Sequence, residues 1–208
     1  MKMFTSFIHI IGLATVLLTS SCRDDQPAVS ESTIDPERTL IVYLSRTKNT
    51  QAVAEMIQKN VGGTLVALEL VTPYPEHYQT TVNQVAEENR TGYLPPLKTK
   101  IDNIGTYDYI FVGFPTWGMQ LPPPIKSFLN EYDLSGKVII PFNTHAGYGV
   151  GSGFRTIEEL CPNSTLLGGY STKGGVERDG ILFVMEGEKE KQVQEDVKEW
   201  LREIALVK

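Results

Sequence analysis

Five short runs of apolar residues alternate with helical patterns along this chain, and this alternation restricts the fold more than any other feature. Most of the runs are apolar throughout, which is typical of parallel strands buried on both faces. The predicted strands are Leu40–Leu44, Leu65–Val71, Tyr109–Phe114, Val138–Phe142 and Thr165–Tyr170. Strands of this kind, separated by helices, favour one doubly wound α/β domain with helices on both faces of a five-stranded parallel sheet.

The helical patterns between these strands place apolar residues on one face. The first helix follows the first strand and ends at Gly62, since glycine commonly terminates helices. The last helix has the clearest pattern. The residues predicted to face the core are Val53, Ala54, Ile57 and Val61 in the first helix, and Val193, Val197, Trp200, Leu201 and Ile204 in the last.

The N-terminus has the pattern of a bacterial export signal. Lys2 precedes the mostly apolar stretch Phe4–Leu18, which is short for a membrane span, and small residues precede Cys22. We predict a signal peptide over residues 1–21, cleavage before Cys22 with lipid on its sulfur, and a flexible tether over residues 22–37. A plain secretory signal is the alternative. The lipid anchor implies the cell envelope, on the periplasmic or outer-surface side of a bacterial membrane.

Composition excludes several kinds of partner and chemistry. The net charge of −6 argues against nucleic acid, and the mature chain would lose one further positive charge with Lys2. With lipid on Cys22, Cys161 would be the one free thiol left in the chain, so the fold cannot depend on an internal disulfide. We interpret Cys161 as buried filler. We find no Cys and His cluster with metal-ligand spacing and no serine-hydrolase elbow.

The first predicted strand ends in hydroxyl and amide side chains at the start of a helix. Ser45, Thr47, Asn49 and Thr50 offer polar side chains there, and the helix N-terminus adds free backbone N–H groups and a favourable dipole. This arrangement predicts a phosphate-binding loop. An ordinary capped turn between strand and helix is the alternative.

Two more unusual loops follow the third and fourth strands. They are Pro115–Gln120 and Thr144–Gly149. The carboxyl ends of parallel strands meet at one edge of the sheet, where ligands of such folds bind, so we expect the three loops to converge there. The polar segment Thr172–Asp179 either borders that site or simply connects two elements.

The motifs in these loops resemble those of the flavodoxin-like family, especially its lipoprotein-anchored and quinone-reductase-like bacterial members. SRTKNT is similar to the family's phosphate loop, PTWG at Pro115–Gly118 to its first flavin loop, and THAGYG at Thr144–Gly149 to its second. The resemblance spans Arg38–Lys208. It implies the strand order 2-1-3-4-5 and FMN as cofactor.

For the phosphate of FMN, the resemblance implies hydrogen bonds from Ser45, Thr47, Asn49 and Thr50. Lys48 and Gln51 would contribute mainly backbone N–H groups. Lys48 occupies a position where the family usually has glycine. If this residue has positive φ, lysine costs roughly 1 kcal/mol relative to glycine, although its ammonium near a phosphate dianion offsets part of that cost.

For the flavin ring, the resemblance implies contacts from both flavin loops. Trp117 would stack on the ring or serve as core and rim packing, and Gly118 would let the backbone approach the reactive nitrogen. His145 is either a donor to the reduced ring or a solvent-facing loop residue. The full set of expected ring contacts is Pro115, Thr116, Trp117, Gly118, Thr144, His145, Ala146, Gly147, Tyr148 and Gly149.

Three functions remain compatible with this sequence. Neither flavin loop contains a carboxylate that would repel a second electron, which favours a two-electron FMN-dependent oxidoreductase acting on quinone-like or other small acceptors. The second is a non-catalytic electron carrier that docks to a membrane or periplasmic redox partner. The third is a flavin-binding module without redox turnover.

Overall fold

A computed structural model describes residues 32–208. The predicted signal peptide, Cys22 and most of the tether lie outside the described residues. The strands and helices are β1 (Thr39–Tyr43), α1 (Asn49–Val61), β2 (Thr64–Ala67), α2 (Tyr78–Thr91), β3 (Tyr109–Pro115), α3 (Pro123–Glu131), β4 (Val138–His145), α4 (Gly153–Leu160), β5 (Thr165–Leu166), β6 (Tyr170–Lys173) and α5 (Gly187–Glu203).

The strands form one parallel sheet in the order β2-β1-β3-β4-β5, and β6 also pairs with β4. The predicted doubly wound fold and strand order are therefore confirmed. Alternate residues of each central strand face opposite layers, as the period of two requires. Ile41 packs with α1 and α5 on one face, and Leu40 packs with α3 and α4 on the other.

The fifth strand differs from its prediction because it is broken into β5 and β6. Gly168 and Gly169 lie at the break, where the carbonyl of Gly168 accepts a hydrogen bond from the Trp200 indole at 2.8 Å. A Cβ on Gly169 would lie 2.5 Å from the ring of Phe154. The ladder with β4 ends at Leu166 and resumes at Tyr170, and a residue with a side chain at Gly169 would collide with Phe154.

The fourth strand is longer than predicted. β4 continues through Asn143, Thr144 and His145, so the second flavin loop begins inside the sheet. Asn143 and Thr144 are buried there. The second strand is shorter than predicted and ends at Ala67.

Residues 32–37 pack against the domain, although we predicted them to be tether. Ser32 pairs with Val207, Ile34 is buried in the core, and residues 36–38 form a short 3₁₀ helix. The ordered domain therefore begins at or before Ser32. Within residues 32–208, no helix combines the length and apolar character that a membrane crossing needs.

Candidate functional site

The loop between β1 and α1 ends in a left-handed residue directly before the helix. Lys48 lies in the left-handed region with φ 64° and immediately precedes the first residue of α1. The first N–H groups of any α-helix have no partner within the helix. The hydroxyl oxygen of Ser45 accepts the N–H of Gln51 at 3.2 Å, which closes the turn. The remaining N–H groups at this end of α1 form the donor set of the site.

Asn49 lines the phosphate-side cavity and forms several hydrogen bonds within the protein. Its amide nitrogen donates to the hydroxyl oxygen of Thr47 at 2.8 Å and to the carbonyl of Leu182 at 2.6 Å. Its amide oxygen accepts the N–H of Val184 at 3.1 Å. This buried side chain therefore joins the loop after β1 to the segment before α5, and its hydrogen-bonding capacity is largely used by the protein itself.

Thr50 also serves to connect loops. Its hydroxyl lies 2.8 Å from that of Thr144, and both side chains are buried. This contact joins the N-terminus of α1 to the end of β4. The predicted convergence of the first and third loops is therefore present in the structure.

A buried amide holds the two predicted flavin loops together. Asn143 donates from its side-chain nitrogen to the carbonyl of Phe114 at 2.9 Å and to the hydroxyl of Thr116 at 3.0 Å. Thr116 in turn donates to the carbonyl of Gly149 at 2.9 Å. Sequence reasoning missed Asn143, which lies at the end of an otherwise apolar strand. The one available signal was a polar residue at a position expected to be buried.

A second junction between these loops depends on Gly151. The carbonyl of Met119 accepts the N–H of Ser152 at 3.0 Å. Gly151 has φ 60°, and a Cβ there would lie 2.2 Å from the Met119 oxygen. Only glycine permits this close approach.

Trp117 lies half-buried at the edge of the core. Its ring makes an edge-to-face contact with Tyr74, with centroids 5.4 Å apart, and packs against the core layer that contains α3. The same side chain lines two of the three cavities described below. In this position Trp117 can pack against the core and contact a ligand at the same time.

His145 is held as a hydrogen-bond acceptor. Its Nδ1 accepts the N–H of Gly147 at 2.9 Å. Partial burial, together with the positive charges of Lys173 and Lys189, lowers the pKa of His145 below the ordinary value of 6.5. The imidazole is therefore neutral at pH 7, and Nε2 carries the proton that it can donate.

Arg46 and Glu177 form an ion pair in the site that the motifs did not indicate. The Arg46 Nε donates to the Glu177 carboxylate at 2.6 Å, and the two side chains are 20% and 21% exposed. Arg46 also donates to the carbonyls of Pro75 and Glu76. Glu177 belongs to the polar segment Thr172–Asp179 and lines the cavities described below. This segment therefore borders the site and does not merely connect two elements.

Three adjoining cavities meet at Tyr78, Thr116 and Glu177, which line all of them. The phosphate-side cavity, of about 110 Å³, extends to the start of α1 and contains Thr47, Asn49, Thr50, Pro115, Trp117, Thr144, His145 and Ala146. The inter-loop cavity, of about 380 Å³, lies between the two flavin loops and contains Gly118, His145, Ala146, Tyr148 and Gly149. The α2 cavity, of about 370 Å³, lies between α2 and the Trp117 loop.

Four predicted residues line none of these three cavities. Ser45 closes the turn from behind, and Gly147 instead donates to His145. Lys48 and Gln51 shape the N-terminus of α1 through their backbone. These positions determine the form of the site without facing its interior.

The sequence matches the flavodoxin family model over residues 38–187. The chain belongs to the flavodoxin family. No curated protein matches the sequence.

Several solved structures share the fold of this flavodoxin. A candidate flavoprotein from Bacteroides uniformis is 23% identical with a TM-score of 0.65, over 81% of this chain and 99% of the other. Another, from Bacteroides eggerthii, is 24% identical with a TM-score of 0.64, over 85% and 98%. A flavoprotein from Lactobacillus acidophilus, solved in complex with FMN, is 20% identical with a TM-score of 0.60, over 65% and 93%.

Proposed function

We propose that this flavodoxin binds FMN and transfers electrons through it to quinone-like or other small acceptors. The observation that carries the proposal is the left-handed turn at Lys48, which directs a helix N-terminus toward the phosphate-side cavity. Helix N-termini bind phosphate through their free N–H groups and their dipole. The FMN complex of the Lactobacillus acidophilus protein, which has the same fold, supports this assignment.

The residues present fit FMN in two parts. The phosphate would be held by backbone N–H groups at the start of α1 and by the Thr47 hydroxyl, whose oxygen accepts from Asn49 and whose proton is left to donate. The ring would lie in the inter-loop cavity, which contains Gly118 and Tyr148 and adjoins Trp117. FMN, when bound, supplies one- and two-electron redox chemistry, and the protein orients and tunes it.

The charges around the site support two-electron chemistry. Glu177 is the one carboxylate that lines the three cavities in the described part of the chain, and Arg46 neutralises it. Negative charge added by reduction therefore meets no unpaired carboxylate. His145 lines the inter-loop cavity with a proton on Nε2, available to a developing anion at the ring.

A second candidate function is that of an electron carrier that docks to a redox protein. The border of the inter-loop cavity exposes large apolar side chains, with Tyr148 at 68% and Met119 at 46% exposure. Exposed apolar groups around a redox centre suit a transient partner, and the acidic charge of the chain would steer it toward a basic surface.

The test of FMN binding uses a soluble chain that starts at Ser32. We expect it to take up one equivalent of FMN and to become yellow. Thr47→Ala should weaken FMN affinity by about tenfold or more, because a hydrogen bond to a charged group contributes roughly 1.5–3 kcal/mol. Thr106→Ala, at an exposed threonine outside the site, should leave affinity unchanged. A protein that stays colourless at saturating FMN contradicts the proposal.

Stepwise anaerobic reduction separates the enzyme from the carrier. The two-electron enzyme should bleach directly as reductant is added. A carrier should develop an additional absorbance band at long wavelength midway through the titration, because its two one-electron steps are well separated. Such a band would favour the docking protein over the oxidoreductase.

We also propose that Cys22 carries a lipid anchor that holds the domain at the cell envelope. Support comes from the position of Ser32, which pairs with Val207 beyond the C-terminus of α5. The start of α5 lies near the site through Val184, and its 17 residues extend about 25 Å from there. The chain thus enters the domain far from the site. Cys22→Ala should move the protein from the membrane fraction to the soluble fraction.

A further inference from the structure

The α2 cavity shares Thr116, Trp117 and Gly118 with the expected ring contacts, whereas its lining residues on α2 beyond Tyr78 have no part in the FMN site assigned above. It runs along one face of α2, whose residues 78, 81, 82, 85, 86, 89 and 90 line it at helical spacing. The facing wall is formed by Trp117, Gly118 and Gln120 from the first flavin loop. Its volume of about 370 Å³ is within the range of small-molecule sites, roughly 300–1,000 Å³.

The walls of the α2 cavity are largely apolar and remain accessible. Tyr78 and Val82 are 36% and 37% exposed, and Ala86 lies one turn beyond Val82 on the same face of the helix. Trp117 supplies a flat aromatic surface opposite them. A flat ring is the shape that this slot between helix and indole accommodates best.

The polar groups of the α2 cavity are mainly hydrogen-bond donors. Lys126 donates to the Asn89 side-chain oxygen at 2.8 Å, so the Asn89 nitrogen is the group that can bind a ligand. Arg90, whose Nε and Nη2 donate to Glu87, retains N–H groups on Nη1, and Gln120 adds its side-chain amide. Among residues 32–208, Glu177 is the one carboxylate that lines this cavity, and Arg46 pairs with it. A ligand here is favoured if it presents acceptor oxygens and no positive charge.

We propose that the α2 cavity binds the electron acceptor, a neutral one- or two-ring molecule with conjugated carbonyl oxygens, that is, a quinone. The inference rests on the proposed function, because the cavity is useful only beside bound FMN. Tyr78, Thr116 and Glu177 line both this cavity and the inter-loop cavity, so a molecule in one adjoins a molecule in the other. With fully reduced FMN bound, the quinone would take a hydride, that is two electrons and one proton, from the flavin and a second proton from solvent, and would leave as the hydroquinone. A reduced redox protein would restore the electrons.

The test blocks the α2 cavity without touching the FMN contacts. Ala86→Trp places an indole on the lining face of α2, and Asn83→Trp places the same side chain at an exposed α2 position that does not line the cavity. Each FMN-loaded protein is reduced anaerobically with dithionite and mixed with tetramethyl-1,4-benzoquinone in a stopped-flow instrument. Ferricyanide, which takes single electrons at the protein surface, serves as the reference oxidant.

We expect Ala86→Trp to slow oxidation by the quinone about tenfold or more, and Asn83→Trp to change it less than about twofold. Oxidation by ferricyanide should be the same in both variants. In the oxidised FMN-loaded protein, the quinone should shift the NMR signals of the Val82 and Ala86 amides, and Ala86→Trp should abolish the response.

Two results would overturn the inference alone. One is that the quinone oxidises the two reduced variants at equal rates while both retain FMN. The other is that FMN itself shifts the α2 amides while the quinone shifts none, since the cavity would then belong to the flavin ring. If neither variant nor the parent protein takes up FMN, the proposed function fails, and the inference fails with it.

Discussion

At Lys48 the backbone has φ 64°, a conformation that costs a residue with a Cβ about 1 kcal/mol relative to glycine. We therefore expect Lys48→Gly to raise the free energy of unfolding by up to about 1 kcal/mol. The same change should weaken FMN binding, because it removes a positive charge near the phosphate. Chemical denaturation and an FMN titration measure the two effects.

Lys59→Gly is the matched control for this prediction. Lys59 is an exposed residue within α1, where glycine should lower the free energy of unfolding by about 1 kcal/mol. The two substitutions should therefore have opposite signs. Equal destabilisation by both would show that Lys48 is not strained.

His145 should make stability depend on pH. Its pKa in the folded protein lies below 6.5, mainly because of burial, whereas the unfolded chain titrates near 6.5. Between these values the unfolded chain binds more protons, so the free energy of unfolding falls as pH decreases through this window. Well above pH 6.5 both states are neutral and the contribution is constant.

His145→Asn isolates this effect, because the asparagine oxygen can still accept the N–H of Gly147. The variant should match the parent protein in urea denaturation at pH 8 and become relatively more stable below pH 6.5. Parallel stability curves for the two proteins across this range would contradict the assignment.

Glu177→Gln should raise the reduction potential of bound FMN. The substitution leaves the Arg46 cation unpaired beside the cavities, where it stabilises the negative charge that reduction adds. We expect a shift on the order of 30 mV, equivalent to about 1.4 kcal/mol for a two-electron couple. Glu188→Gln, which removes the same charge from an exposed pair with Lys191, should leave the potential unchanged in an anaerobic redox titration. A downward shift in Glu177→Gln would be incompatible with this role.

At the scale of single residues, the sequence predicted where the residues of the site lie better than it predicted their hydrogen-bond partners. The motif containing Lys48 implied a turn that favours glycine, and the structure has that turn. The roles of Asn49 and Thr50 could not be read from the motif, because their partners Val184 and Thr144 lie 135 and 94 residues away in the chain. Only the folded chain shows that these side chains hold the loops together.

At the scale of elements, residues 174–184 are joined to the loop after β1 by hydrogen bonds and an ion pair. Asn49 holds the end of the segment through Leu182 and Val184. Because this amide is buried, its removal leaves polar backbone groups unpaired, so Asn49→Ala should lower the free energy of unfolding by about 2–3 kcal/mol. Hydrogen exchange of the amides in residues 175–183 should become faster.

Asn60→Ala is the control for Asn49→Ala. Asn60 lies in the same helix, and its side-chain amide donates to the carbonyl of Met56 one turn earlier rather than to residues 174–184. Its removal should change neither the exchange of residues 175–183 nor FMN affinity. Unchanged exchange in Asn49→Ala itself would show that the segment is held by other contacts.

Helices and central strands were predictable because their apolar periodicity is a local property. The break between β5 and β6 was not, since it depends on contacts of the two glycines with Trp200 and Phe154, in α5 and α4. The extension of β4 was also missed, because Asn143 and Thr144 are polar residues at buried strand positions. Their burial follows from pairing with both β3 and β6.

At the scale of the whole molecule, the chain enters the domain through residues that close the core at the end away from the cavities. Ile34 is 6% exposed and packs with Leu206 and Val207, while Thr33 donates its N–H to the carbonyl of Leu206. A lipid anchor on Cys22 would connect to the domain at this end, through residues 32–37. The cavities then face away from the point of attachment.

The last prediction tests whether this entry segment belongs to the domain. A chain that starts at Arg38 lacks Ile34 and should have a free energy of unfolding lower by about 2–4 kcal/mol than one that starts at Ser32. Ile34→Ala should reproduce most of this loss, because a cavity forms in the core. Thr33→Ala, at an exposed residue, should cost less than about 1 kcal/mol. Identical urea midpoints for the chains starting at Ser32 and Arg38 would show that residues 32–37 do not stabilise the domain and act as tether. The orientation of the cavities relative to the membrane would then not be fixed by this segment.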